Sequence, residues 1–359
     1  MREHIVVVGG YGQVGQSVSR LLAERFPGKV YAAGRNQIKA EQFSSATDGA
    51  VKPMLLDVSR PFHPEVMSRV RTVVMCLDQE NTAFARQCLA HGIHYMDVTA
   101  EAGFMAAMEE LHEEAAAAGA TAVLSVGLVP GMSNLLAADA VAGMDQVDSM
   151  DIALMLGMGE AHGRAAIEWT VENMAQDFWT GAGTQRRQVS SFTSGKTIDF
   201  GEGIGRKTAY RFNFSDQHTL SGTLGVSPVV TRLCFDSAIV TGLLFVMKKA
   251  GVLKLLRFKS MARLAAGLFA RMRFGTEVYA LKVEASGSKL GIPQKAERFF
   301  HGSIESDMTA RVAAAVAAEL YRGEQPSGVY HIEQLFNTSV LGGEISGCIG
   351  RGGKPGDAV

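Results

Sequence analysis

Cysteine is scarce in this chain: Cys76, Cys88, Cys234 and Cys348 are the four among 359 residues. They lie far apart with no Cys-x-x-Cys pair, which argues against a disulfide framework or a zinc site and fits a reducing cytoplasm. His91 and His94 lack partners at ligand spacing, so no metal is expected. Long apolar runs are missing too. The longest, Ala238–Met247, is well short of the ~20 residues of a membrane span. The early run Ile5–Val8 ends in glycines and reads as a buried strand rather than a signal segment. Neither charge sign dominates, the formal net charge being −1, so nothing in the balance advertises nucleic acid. His-Glu-x-x-His, Gly-x-Ser-x-Gly and Walker loops are absent, which leaves hydrolases and kinases without footing.

What is present is an ordinary globular mixture, 47% hydrophobic and 20% charged, at a length that suggests two domains. Up to about residue 130, short β-branched runs alternate with helical patterns. Strands are expected at 5–8, 30–33, 54–56, 72–76, 94–98 and 122–125, with helices at 14–25, 36–45, 82–91 and 104–118. That alternation predicts an α/β fold, a Rossmann doubly wound parallel sheet with right-handed crossovers. After Gly131 strands cluster at 150–155, 188–192, 196–200, 208–214 and 277–285, which predicts a second α+β domain with a mostly antiparallel sheet. A helical block is expected from Phe235 to about Phe274 and an alanine-rich helix over 307–321. The division expected is 1–134 for the first domain, completed by 303–340, then 135–302 for the second, with 341–359 as a loose glycine-rich tail.

The first strand runs into Gly9-Gly10-Tyr11-Gly12-Gln13-Val14-Gly15, with Gly-x-Gly-x-x-Gly spacing at Gly10, Gly12 and Gly15. The first glycine permits the tight turn, the second lets backbone approach a pyrophosphate, and the third lets helix and strand pack closely. Phosphates would sit on the N–H groups that open the helix, so the whole loop, with Tyr11, Gln13 and Val14, is a candidate dinucleotide site. Where an NAD site usually has an acid, the second strand ends in Gly34-Arg35-Asn36. A guanidinium there suits a 2′-phosphate, so NADP is favoured over NAD, the alternative being a solvated surface arginine. Asp57 and Val58 after the third strand, and Cys76 and Leu77 after the fourth, are expected beside the cofactor.

These motifs, with His94-Tyr95-Met96-Asp97-Val98-Thr99, Gly127–Asn134 and the late Gly328-Val329-Tyr330-His331-Ile332-Glu333, resemble the saccharopine dehydrogenase family. That family includes saccharopine reductases, lysine 6-dehydrogenase-like enzymes and carboxynorspermidine dehydrogenases. The resemblance implies an NADP-dependent oxidoreductase that reduces an imine or oxidises an amine of an amino-acid-derived substrate. It also implies that the Gly127–Asn134 loop approaches nicotinamide and substrate. Trp169-Thr170 is similar to an element of the lysine dehydrogenase branch.

Hydride chemistry at a C–N bond leaves the protein to supply geometry, proton handling and carboxylate recognition. Tyr95 and Asp97, at the end of the fifth strand, are the acid–base candidates; a strand-end cap is the competing reading for Asp97. Asn134 is a candidate for substrate contact or for a helix cap. A substrate carboxylate calls for an arginine fork. Arg164, Arg206, Arg211 and Arg232 are available, with Arg164, Arg211 and Trp169 taken forward as substrate residues.

From Ser237 to Thr276 no acidic residue occurs while eight basic ones do. An ordinary covering helix, a subunit interface in an expected homodimer or a substrate lid, or a membrane-surface element all fit that stretch. The rival to an enzyme is an inactive NADP-binding scaffold or redox sensor. Within enzymes the rival is NAD-dependent oxidative deamination of a diamino acid.

Overall fold

The computed structural model describes residues 2–160, 163–181, 187–271 and 274–352, without the side chains of Arg164, Ala165 and Glu344. The chain forms two compact units, Met1–Met132 with Ser306–Leu341, and Ser133–Glu305 with Gly342–Val359.

The first unit runs β1 (His4–Val8), α1 (Gln13–Arg25), β2 (Val30–Gly34), α2 (Gln37–Ser45), β3 (Val51–Leu55), α3 (Pro64–Met67), β4 (Val70–Met75), α4 (Ala83–Ala90), β5 (His94–Asp97), α5 (Ala102–Glu109), α6 (His112–Ala117) and β6 (Thr121–Leu124). The second unit begins with α7 (Ser133–Val141) and β7 (Gln146–Leu156), then α8 (Arg164–Ala175), β8 (Asp177–Thr180), β9 (Arg187–Ser190), β10 (Lys196–Asp199), β11 (Arg206–Arg211), α9 (Asp216–Thr223) and β12 (Val229–Phe235). It continues with α10 (Ala238–Lys249), α11 (Lys259–Arg271), β13 (Val278–Lys289) and β14 (Ile292–Ser303). The chain returns to the first unit in α12 (Glu305–Arg322), β15 (Gly328–His331) and α13 (Ile332–Leu335), and ends its described part with α14 (Gly343–Gly347) and β16 (Gly350–Gly352).

All strands of the first sheet pair in parallel, in the order β15-β6-β5-β4-β1-β2-β3. The order reverses direction between β1 and β4, so a crevice opens beyond their carboxyl ends, where ligands of doubly wound sheets bind. Strand β1 is covered on both faces: Ile5, Val6, Val7 and Val8 are fully buried. Each contributes about 1.5–3 kcal/mol of burial. The helix expected over 104–118 is broken into α5 and α6, because Leu111 turns into the core and its N–H bonds to the Met108 carbonyl in a tighter turn.

The second sheet has the order β10-β11-β12-β7-β13-β14-β16, with β8 and β9 forming a separate ribbon. The β12–β7 pair is parallel and the other pairs are antiparallel. Four of these strands, β8, β12, β14 and β16, were not expected from sequence. Strand β12 is buried at all seven positions and has no alternation to betray it. Strand β14 follows β13 through a tight turn at Leu290-Gly291, both at positive φ. The expected helical block consists of α10 and α11, separated by Gly251 at φ +79° and a short 3₁₀ helix, Val252–Arg257. The stretch expected to be a loose tail holds α14 and the edge strand β16, which places Arg351 opposite Arg298 of β14.

In the first unit the ends of β6 and β15 are tied by a buried relay. Ser125 Oγ lies 2.7 Å from His331 Nδ1, and His331 Nε2 lies 2.9 Å from Glu109 Oε1. Ser125 holds a left-handed φ of +57° there and is fully buried, so the arrangement is a structural tie rather than an open nucleophile. His331→Ala strands the serine hydroxyl in the core and should lower unfolding free energy by about 1–3 kcal/mol. Denaturant unfolding measures this; an unchanged midpoint would show that the relay contributes nothing.

Candidate functional site

The turn from β1 to α1 is built from backbone contacts that no side chain could share. A Cβ at Gly10 would lie 2.6 Å from the Val7 carbonyl oxygen and 2.8 Å from Ala32 Cα, and one at Gly15 would lie 2.2 Å from the Gly9 oxygen. Gly12 stands at the N-cap of α1 and no side chain caps that helix start. The opening N–H groups therefore remain available to an anion. Leu77, 42% exposed, lies against Gly9, which a Cβ would bring within 2.8 Å of it. The Cys76 N–H bonds to the Val8 carbonyl at 2.9 Å. Its thiol is pushed up to about 12 by burial and then by the Asp97 charge, so it is neutral at physiological pH.

Tyr11 links this loop to the next turn. Its hydroxyl accepts from the Asn36 N–H at 3.0 Å and sits where a Cβ of Gly34 would be, 2.3 Å away. Asn36 Oδ1 caps α2 by accepting from the Lys39 N–H at 3.0 Å. Arg35 beside it is exposed and makes no hydrogen bond or ion pair among the described residues. Asp57, close enough to feel Arg35 and Arg60, accepts from Ser59 Oγ and N–H at 2.7 and 3.0 Å, and those bonds hold its carboxyl below the usual range. Val58 packs on the core of the same unit. The cradle and a free guanidinium at the end of β2 fit a dinucleotide with an extra phosphate on its adenosine ribose.

The acid–base candidates are enclosed rather than open. Tyr95 is fully buried and Asp97 is 1% exposed. The Tyr95 hydroxyl donates to Asp97 Oδ2 at 2.6 Å, while Oδ1 accepts from the Thr99 N–H at 2.8 Å. Gln79, which sequence reasoning missed, closes the group: Nε2 lies 2.6 Å from the Tyr95 hydroxyl and 3.0 Å from Asp97 Oδ2. Asp97 thus organises its own turn. The cap of α5 is Glu101, which accepts from the Gly103 N–H. Burial raises the Asp97 carboxyl to about 7 against the downward pull of Tyr95, Thr99 and Gln79.

The second unit carries a separate polar cluster. Arg211, at the end of β11, is 7% exposed. Among the described residues its Nη1 has no hydrogen-bond partner, and the same holds for Trp169 Nε1, Ser191 Oγ, Ser215 Oγ and Gln217 Oε1. The Phe192 N–H bonds to the Arg211 carbonyl, Gln217 Nε2 donates to the carbonyls of Phe212 and Phe214, and Trp169 packs on both rings at 5.8 and 5.5 Å. Burial and then the nearby Arg232 disfavour the Arg211 charge. Arg232 itself is engaged by Asp151 at 3.1 Å. A buried guanidinium with an unused Nη1 is a seat for an anion, since leaving such a cation unpaired is costly. Arg206 is exposed. Arg164 opens α8, and its side chain lies outside the described residues. Asn134 is fully buried in the first turn of α7, with the Ser133 hydroxyl 3.4 Å from its Oδ1. Among the described residues no group of three or more His, Cys, Asp or Glu is placed to hold a metal ion.

Asp97 has a pH consequence. Its folded pKa near 7 lies above the ordinary 3.8. The protonated side chain therefore contributes stability that is complete below about pH 4 and is lost as pH rises through about 7. Asp97→Asn removes that dependence, so its melting temperature relative to wild type should climb between those pH values. Thermal unfolding across the range tests this, and a constant offset at every pH would refute it.

Residues 5–123 match the family model described as the saccharopine dehydrogenase NADP binding domain. No curated protein sequence matches the chain significantly. Among solved structures, an apo histidine-tagged saccharopine dehydrogenase (L-Glu forming) from Saccharomyces cerevisiae superposes with a TM-score of 0.68 at 12% identity, covering 94% of this chain and 95% of the other. A diaminopimelate (DAP) dehydrogenase from C. glutamicum in complex with DAP aligns over 95% of this chain and 96% of its own, at 14% identity and a TM-score of 0.46. Residues 5–123 are therefore similar to the NADP-binding domain of saccharopine dehydrogenases, and the chain as a whole has the saccharopine dehydrogenase fold.

Proposed function

We propose that the protein is an NADP-dependent oxidoreductase that reduces an imine, or oxidises an amine, at a C–N bond of an amino-acid-derived substrate. The observation that carries this reading is Arg211, a buried guanidinium whose Nη1 is unused among the described residues. An arginine fork suits the carboxylate of an amino or oxo acid. The cofactor supplies hydride chemistry when bound. The chain's own part is to hold it through the Gly10–Gly15 cradle, to meet its 2′-phosphate with Arg35 and to seat the substrate carboxylate on Arg211. Tyr95, Asp97 and Gln79 act as positioning residues that fix the loops after β4 and β5.

The test is steady-state NADPH oxidation with a panel of oxo acids, each offered with ammonia or an amino acid. Turnover with at least one pair supports the reading. Arg211→Ala should then raise the KM for the oxo acid roughly ten- to hundredfold with little change in kcat, the loss of one charge-assisted pair. A fall in kcat at unchanged KM would place Arg211 elsewhere. Arg35→Asp should lower the preference for NADPH over NADH by a similar factor, measured as a ratio of kcat/KM values. An unchanged ratio would support NAD as the working cofactor.

A second reading is a scaffold or sensor that binds NADPH without turnover. The enclosure of Tyr95 and Asp97 favours it, because it leaves the first unit with no exposed acid–base pair at the end of β5. Tight NADPH binding with no turnover on any pair in the panel would select it.

A further inference from the structure

Large exposed apolar side chains are concentrated in one short stretch. Of eighteen such residues among the described ones, ten lie between Ile239 and Phe274. On α10, Ile239, Leu243 and Val246 are 84, 57 and 59% exposed, spaced to share one helix face. On α11, Met261, Leu264 and Leu268 share another, at 38, 57 and 56%. Phe258, in the link between the helices, is 64% exposed. The opposite side of α11 is accounted for: Ala262 and Ala266 pack on Ile167 and Val171 of α8. The stripes are therefore left over after the second unit has formed its core, and exposed apolar side chains at such density mark an interaction surface.

Charge selects the partner. All 36 acidic residues of the chain lie outside 237–276, while eight basic ones lie within it. Arg257 pairs with Asp177 at 3.2 Å, and Lys259 and Arg263 line a shallow hollow with Glu168 and Glu172 of α8. Lys249, Lys254 and Arg271 are exposed and have no ion pair among the described residues. A two-fold contact between copies through this face would bring cations toward cations, with no acid in the patch to meet them. Nucleic acid would answer the charge and leave the apolar stripes in water. An anionic bilayer answers both, since apolar side chains enter the acyl boundary while lysines and arginines meet the headgroups.

We propose that the segment Ile239–Phe274 is a membrane-surface element that docks the protein peripherally on anionic lipid bilayers. No described helix is long and apolar enough to cross a membrane, so the contact lies in the interface plane. This inference is independent of the catalytic reading and survives its failure.

The full chain is mixed with sucrose-loaded vesicles of phosphatidylcholine alone, or of phosphatidylcholine with phosphatidylserine, and sedimented at low and at high salt. Binding should require phosphatidylserine and weaken with salt. Lys249→Glu with Lys254→Glu, and separately Leu264→Ser with Leu268→Ser, should each reduce the bound fraction at least about tenfold. All four positions are exposed, so circular dichroism and NADPH binding should match wild type. Absence of phosphatidylserine-dependent sedimentation at low salt overturns the proposal. So does unchanged binding by both variants, or a shift of either to a smaller species in light scattering, which would make the face a subunit interface.

Discussion

The closest approach in the molecule that matters for function is backbone against backbone, where α1 leaves β1. With room for a hydrogen but not for a methyl at Gly10 and Gly15, the helix is pinned to the strand and its opening N–H groups are aimed beyond the sheet edge. Everything on the nucleotide side takes its position from that contact. Leu77 settles over Gly9, the Cys76 N–H closes onto Val8, and Tyr11 leaves the loop at the height needed to reach the β2–α2 turn. The parallel sheet supplies the reason the contact is stable: β1 is central, buried from Ile5 to Val8 and hydrogen-bonded on both sides, so the turn is mounted on a strand held by two neighbours.

The second unit applies the opposite principle. Its polar cluster is not a backbone cradle but a set of side chains whose hydrogen-bonding capacity is left over after folding. Arg232 and Arg211 lie opposite each other on β12 and β11, yet among the described residues Arg232 has an ion pair, with Asp151, and Arg211 has none. The difference separates an arginine that builds the sheet from one that awaits an anion, and it is a difference of partners rather than of sequence.

That distinction explains which parts could be read in advance. Gly10, Gly12 and Gly15 announce themselves because sterics admits almost no other residue at those positions, and the strand and helix on either side have clear periods. Arg211 could be named only as one of several arginines, since its lack of an acid depends on where Asp151, sixty residues away, comes to lie. Gln79 carries no pattern at all; its partners Tyr95 and Asp97 reach it across two strands. Strand position correctly put Tyr95 and Asp97 at the carboxyl end of β5, but the enclosure of their side chains is a tertiary outcome. Strand β12 escaped notice because a fully buried strand that includes Thr231 and Arg232 has neither alternation nor uniform hydrophobicity.

Tyr11 acts as a strut between two recognition elements, and its presence has a cost for the evolvability of cofactor choice. By filling the space above Gly34 it removes that position from the set that can carry a side chain, and the Asn36 side chain is already tied to the start of α2. Only residue 35 remains free to vary at the end of β2. Discrimination at the ribose is thus reduced from a combinatorial problem to a single-letter one, poised where one substitution can move it and no neighbour can compensate.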